Sequence, residues 1–194
     1  TPDIGLFREL KLRMLNGTHT VSCGIAFLAG FETVKKAMDE PWMSNCISDI
    51  MMKNISPAIP FPITENESKD FGVKVLDRFR NAAIEHLWIN ITVQFTSKLK
   101  MREVPVLLNY YNKKKELPEY IVAGFAAWLL FMRATKKVEE SYFGEWQGKS
   151  YPIKDDSAEI LYRYWRSYPE ADNLNSVLNN ISLFGEDLDQ LPGF

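Results

Sequence analysis

The chain has 194 residues, 46% of them apolar and 13% aromatic, which is enough to bury a proper core and too rich in bulky side chains for a disordered segment. Its formal net charge is −2, with no long Lys/Arg block, so nucleic acid is not an expected partner. The longest apolar run, Ile121 to Met132, is too short to span a bilayer, so no membrane role is expected either.

Residues 1–10 read as a helical lead-in, with Leu6, Phe7 and Leu10 at helical spacing. Residues 20–38 read as one helix with an apolar face of Val21, Ile25, Leu28 and Phe31; Gly24 and Gly30 would let another helix approach closely. Residues 42–55 form a second, methionine-rich helix (Met43, Met51, Met52), read as core filler and ended by Pro57, Pro60 and Pro62. Thr64 and Glu67 stand at capping-box spacing, and Phe71, Val75, Leu76 and Phe79 give the following helix a packing face down to about Asn81. Residues 82–99 read as the next helix, and Pro105 opens another through Tyr111. The segment from Leu117 to Thr135 lacks a polar face and is expected at the centre of the domain. Residues 136–155 read as loop, with a short hairpin over 145–151. A capping pattern at Asp156–Glu159 starts a helix through Ile160, Leu161, Tyr164 and Trp165; a last helix carries Leu174, Val177, Leu178 and Ile181 and stops at Gly185. Roughly eight helices and almost no strand predict an all-α, multi-helix fold, a single domain over residues 1–194.

Cys23 and Cys46 fall in helical patterns and are expected as reduced core thiols. Two His and two Cys, widely scattered, supply no zinc-ligand spacing, so no metal is expected. Five Asn-x-Ser/Thr triplets, starting at Asn16, Asn54, Asn66, Asn90 and Asn180, read as chance occurrences in a chain with no leader segment in view, and a cytoplasmic location is expected.

The polar residues of Lys11–Thr20 stand out against this apolar background. Lys11, Asn16 and His19 can serve a carbonyl carbon being reduced or an alcohol being oxidised. A lysine amine can take the hydroxyl proton, an asparagine amide can donate to an oxygen carrying negative charge, and a histidine can orient the substrate. On an α-helix, Asn16 and His19 lie about 60° apart and Lys11 and Asn16 about 140° apart, a broad sector rather than a stripe. The bland alternative is a capping Asn, a core His and a solvated Lys. Further on, Lys98, Lys100 and Arg102 read either as a solvated helix end or as an anion pocket, and His86 either as a core histidine or as a substrate contact.

Lys11-x4-Asn16-x2-His19 followed by Phe27-Leu28-Ala29-Gly30 resembles the signature of the mannitol dehydrogenase family. Arg78-Phe79-Arg80-Asn81, Thr96-Ser97-Lys98, Tyr151-Pro152 before Asp155-Asp156, and Glu186-Asp187-Leu188 before Pro192-Gly193 extend the match in order along almost the whole chain. These are zinc-independent, NAD-dependent polyol and uronate dehydrogenases, and within them the chain is most similar to the tagaturonate-reducing branch. The resemblance implies a C-terminal domain like that of 6-phosphogluconate dehydrogenase, with Lys11 as general base, Asn16 beside the oxyanion and His19 on the substrate. It favours Lys98 as a basic substrate contact; Lys100 and His86 are taken with it. No Gly-x-Gly-x-x-Gly occurs in the chain. The resemblance therefore also implies that NAD is bound mainly by an N-terminal Rossmann domain of the same polypeptide. The chain alone would then be inactive, with one face around residues 11–20 and 98 left as an open interface. A mannitol or fructuronate substrate within the family, or a non-catalytic partner-binding module, are the alternatives.

Overall fold

The computed structural model describes residues 4–167 and 174–194. Its first elements form a nearly continuous helical rod. Helix α1 (Ile4–Leu10) runs into a π-helical segment, π1 (Lys11–Gly17), and then into α2 (Thr18–Leu28). Two short helices, α3 (Val34–Asp39) and α4 (Pro41–Asp49), follow, and α4 continues into a second π-helical segment, π2 (Ile50–Ile55). Then come α5 (Glu65–Phe79), α6 (Trp88–Ile91), α7 (Phe95–Arg102), α8 (Val104–Lys114) and α9 (Glu119–Phe131). A three-stranded antiparallel meander is built from β1 (Ala134–Val138), β2 (Ser141–Trp146) and β3 (Lys149–Ile153). Helices α10 (Ala158–Ser167), α11 (Leu174–Leu178) and α12 (Ile181–Phe184) complete the fold. Among the described residues no helix is long and apolar enough to cross a membrane.

The mainly helical class is as expected, but four segments differ from the periodicity, one of them the expected last helix, which Asn180 divides into α11 and α12. Residues 20–38 are two helices, because Gly30 takes a left-handed turn at φ +91° and the Thr33 side chain accepts from Lys36 N–H at 3.1 Å to start α3. Residues 82–99 are not one helix either. The chain between α5 and α6 is irregular, and Thr33 and Leu87 pair as an isolated bridge, with Val34 N–H donating to His86 O and Trp88 N–H to Glu32 O. Gln94 then adopts a left-handed conformation, φ 54°, that separates α6 from α7. The remaining difference is the sheet. The expected loop over 136–155 is a meander; its second turn, Gln147–Gly148, is that of the hairpin expected over 145–151 and has positive φ at both residues, as a type I′ two-residue turn requires. The meander's strands are five or six residues long and carry Lys136, Lys137, Glu139 and Glu140 nearby, so Tyr142, Tyr151 and Ile153 are the only large side chains on the buried side, with the small Ala134 and Gly144.

The core is centred where α2 crosses α9. Trp88, Trp128, Phe95, Phe131, Met14 and Phe184 are essentially buried around it. Gly24 of α2 lies against Ala127, and Gly124 of α9 faces Val21 so closely that an added Cβ would stand 2.6 Å from Val21 Cγ1. π2 supports the same joint: the Asn54 side-chain oxygen accepts from Tyr120 N–H at 2.9 Å and Ile121 N–H at 3.3 Å, satisfying donors that the start of α9 leaves open. Trp128 donates to Thr96 Oγ1 at 3.0 Å, tying α9 to α7. α9 is less central than its composition suggests. Its Ala123, Ala126 and Leu130 side is exposed among the described residues. The capping box expected at Thr64 and Glu67 is present, and both cysteines are free. The meander rests on the core through Tyr151, whose ring stacks on Phe131 and whose hydroxyl donates to Phe131 O at 2.8 Å.

A methyl group at Gly124 must push α2 and α9 apart. Gly124→Ala is expected to lower the unfolding free energy by about 1–3 kcal/mol, measured by urea denaturation; an unchanged midpoint would show that the crossing tolerates extra volume.

Candidate active site

The π1 segment changes the geometry of the three candidate residues. A π turn closes hydrogen bonds five residues apart instead of four, so a residue and the fifth after it come close to one above the other. Lys11 and Asn16 are five apart and both lie in π1. The α-helical separation of about 140° therefore does not apply, and the π turn brings the two toward one side of the rod. Lys11 is exposed and Asn16 half-buried. The Asn16 carbonyl is fully engaged: it accepts from Thr20 Oγ1 at 2.8 Å and from Arg102 Nη1 at 3.2 Å.

His19, in the first turn of α2, is 9% exposed. Its ring stacks on Phe79 of α5 at 4.1 Å and meets His86 and Trp88 edge-on at 5.9 and 6.1 Å. Burial holds its imidazole well below the ordinary range, at about 3, and the nearby His86, Arg102, Arg78 and Lys98 add to the effect. The ring is therefore neutral near pH 7, with one nitrogen a donor and the other an acceptor. Its Nε2 is buried with no hydrogen-bond partner among the described residues, which leaves that atom available for a ligand group.

Lys98 joins this cluster. It is half-buried, its ammonium donates to Ile91 O at 2.9 Å, and burial, followed by the neighbouring Arg102, pushes it below the usual lysine range. Arg102, which the family resemblance does not single out, lies at the centre. One arm of its guanidinium donates to both Asn16 O and Thr20 Oγ1, the latter at 3.0 Å. A usable signal was present in the spacing. Lys98 and Arg102 are four apart and share a face of α7, whereas Lys100, two from each, points elsewhere. Lys100 is not brought into the cluster: its ammonium reaches Ser182 O at 3.3 Å, next to α12. His86, on the extended segment before α6, is exposed but within ring contact of His19.

Arg13 fastens these elements together. It is buried, and its Nη1 donates to Met101 O at 2.8 Å and Arg102 O at 2.6 Å, while Nε pairs with Glu9 at 3.2 Å. It thereby satisfies carbonyls at the end of α7 that no helical partner reaches. The surface around the site is partly apolar: Ile4 and Phe7 of α1 are 82% and 60% exposed, and Met101 of α7 is 54% exposed. A cavity of about 870 Å³ between the sheet and α10 is lined by Gln94, Lys137, Tyr142, Asp155, Glu159 and Arg163, and none of the candidate residues lines it. Among the described residues no group of three or more His, Cys, Asp or Glu is placed to hold a metal.

The chain belongs to the mannitol dehydrogenase family: the profile of the mannitol dehydrogenase C-terminal domain matches residues 3–194. It is 33% identical to an altronate oxidoreductase of Yersinia pestis over 198 residues, covering 98% of this chain and 38% of that protein. It is likewise 33% identical to that of Pectobacterium carotovorum over 199 residues, covering 98% and 39%. Among solved structures, a Pseudomonas fluorescens mannitol 2-dehydrogenase in ternary complex with NAD and D-mannitol superposes with a TM-score of 0.76 at 27% identity, over 99% of this chain and 36% of that one. A D-sorbitol dehydrogenase at 19% identity and TM-score 0.63 shares the fold. The chain thus spans well under half the length of the relatives it matches.

Because the folded state holds the His19 pKa down, its contribution to stability is present above the unfolded value near 6.5 and is lost as pH falls from there toward about 3. Wild type is therefore expected to lose more stability than His19→Gln between pH 6.5 and 4, read from urea midpoints; parallel profiles would place His19 in a more solvated setting.

Proposed function

We propose that this chain is the substrate-side domain of an NAD-dependent oxidoreductase that interconverts D-tagaturonate and D-altronate. The observation that carries the reading is the gathering of Lys98, Arg102, Arg78 and His86 around the neutral His19, beside the turn that bears Lys11 and Asn16. Such a basic collar suits a sugar carboxylate, and a neutral polyol has no group to match it. The similarity to altronate oxidoreductases points to the same substrate class.

The described residues contain no glycine-rich strand–turn–helix to cradle a dinucleotide. In this reading an N-terminal Rossmann domain of the same polypeptide binds NAD and packs on the face that exposes Ile4, Phe7 and Met101. The residues present suit that arrangement: Lys11 is exposed, and the buried His19 Nε2 lacks a hydrogen-bond partner among the described residues. Bound NAD supplies the acceptor for the hydride that leaves the alcohol carbon. The chain's own residues do the rest. Lys11 takes the hydroxyl proton in oxidation and returns it in reduction. The Asn16 amide donates to the substrate oxygen while it carries negative charge. His19 orients a neighbouring hydroxyl through its unpartnered nitrogen, and Lys98 and Arg102 hold the carboxylate. Lys100 has no part in this assignment, because its ammonium lies at Ser182 O of α12, away from the groups around His19.

In the full-length enzyme, Lys11→Ala is expected to lower kcat/KM by about 10²–10⁴-fold, and a loss smaller than about tenfold would rule out Lys11 as the base. Lys98→Met is expected to raise KM for altronate about tenfold or more while sparing any residual turnover of mannitol. An equal effect on both substrates would remove the carboxylate role, and a panel that includes mannonate separates the two uronate pairs.

A further inference from the structure

Directly beneath the proposed catalytic turn lies a carboxyl group that the mechanism above does not use. Glu103, the residue at the end of α7, has no solvent exposure, and both carboxyl oxygens are buried without a hydrogen-bond partner among the described residues. Its position is set by Gly17, the last residue of π1. A Cβ built on Gly17 would overlap Glu103 Oε1 and stand 3.6 Å from Ile55 Cδ1, so the carboxyl fills the notch that the missing side chain leaves between π1 and π2. Two guanidiniums frame it. Arg13 of π1 is tied to Met101 O and Arg102 O, and Arg102 of α7 is tied to Asn16 O and Thr20 Oγ1, with its Nε buried and unpartnered. Glu9 pairs with Arg13, and the apolar Ile55 of π2 lies at the notch.

A helix does not adopt a π turn without an outside constraint, since the π hydrogen-bond step is rarely favoured over the α step and is seen mostly at functional sites. Here the constraint is visible: one end of π1 is fastened through Arg13, and the other is wedged by Glu103 against Gly17. We propose that Glu103 is a positioning residue, whose buried carboxyl, seated in the Gly17 notch, sets the π turn that carries Lys11 and Asn16. This rests on the functional reading above for its catalytic consequence, and on packing alone for its structural part. Desolvation raises the carboxyl to about 8, against the opposing pull of Arg13 and Arg102, so near neutral pH the wedge is largely an uncharged group. Ionisation above that range would place an unshared negative charge between the two arginines and draw Arg102 away from Asn16 O.

The test is a cycle in the full-length enzyme. Gly17→Ala is expected to lower kcat at least about tenfold with a smaller change in KM, and Gly17→Ala with Glu103→Ala is expected to recover most of that loss, because the methyl then occupies the space of the carboxyl. Glu103→Gln, of the same shape, is expected to stay within about threefold of wild-type kcat at pH 7 and to abolish any loss of kcat centred near pH 8. A folded Gly17→Ala enzyme with wild-type kcat, or a double variant no better than the single, overturns the proposal. A readout free of activity runs beside it. A folded-state carboxyl raised to about 8 contributes stability that is full below the unfolded value and is lost as pH rises through about 8. The wild-type melting temperature must therefore fall, relative to Glu103→Gln, between pH 5 and 8. Identical profiles overturn the buried wedge whether or not the enzyme turns over altronate; an enzyme inactive on every sugar acid, with the profiles diverging, overturns the functional reading and upholds the wedge.

Discussion

Between Lys11 and Gly17 the backbone gives up the α-helical hydrogen-bond step for a longer one, and the arrangement of the candidate site follows from that change. Had α1 run straight into α2 as an α-helix, Lys11 and Asn16 would face directions about 140° apart. The π turn closes its hydrogen bonds five residues apart and so lessens that separation, with His19 following in the first turn of α2. The turn is held from outside the rod: Arg13 binds the carbonyls that end α7, Arg102 binds the Asn16 carbonyl, and Glu103 presses on Gly17. Three consecutive residues at one helix end, Met101, Arg102 and Glu103, thus lock onto one stretch of another helix, far off in sequence.

The same lock explains the electrostatics. Bringing the end of α7 against π1 and α2 places Lys98 and Arg102 beside His19, and the burial that makes the lock rigid also desolvates these groups. Burial leads the displacement in each of them: it lowers His19, Lys98 and Arg102, and it raises Glu103. A glutamic acid kept largely protonated carries less opposing charge against a bound anion, and a neutral histidine leaves the attraction to Lys98 and Arg102. The stacked Phe79 and the edge-on Trp88 maintain the low-dielectric surroundings of the imidazole.

Legibility from the sequence varied with the range of the forces involved. The capping box at Thr64 and Glu67 is a contact between residues three apart, and the written pattern is the structure. The apolar faces of α5 and α9 were plain for the same reason. The break at Gly30 was written less clearly, because a glycine in a helical pattern can serve either as a close-packing site or as a left-handed stop. Gly24 took the first role and Gly30 the second. The hairpin over 145–151 was legible, but the rest of the meander was concealed by its own solvent-facing residues: with Lys136, Lys137, Glu139 and Glu140 in and around short strands, few large apolar side chains besides Tyr142, Tyr151 and Ile153 speak for a buried side.

What the sequence determined by itself was local chemistry: the class of fold, the caps, and the presence of a lysine, an asparagine and a histidine at a spacing that resembles one enzyme family. The i,i+4 relation of Lys98 and Arg102 was also there to be read, and it separates them from Lys100 without any coordinates. The tertiary structure alone decided that π1 is not α-helical, that His86 arrives beside His19 through the Thr33–Leu87 bridge, and that Glu103 lies buried under Gly17. These facts depend on contacts between segments tens of residues apart. Helical propensity and periodicity carry no information about such contacts, because they describe a chain only against its own near neighbours.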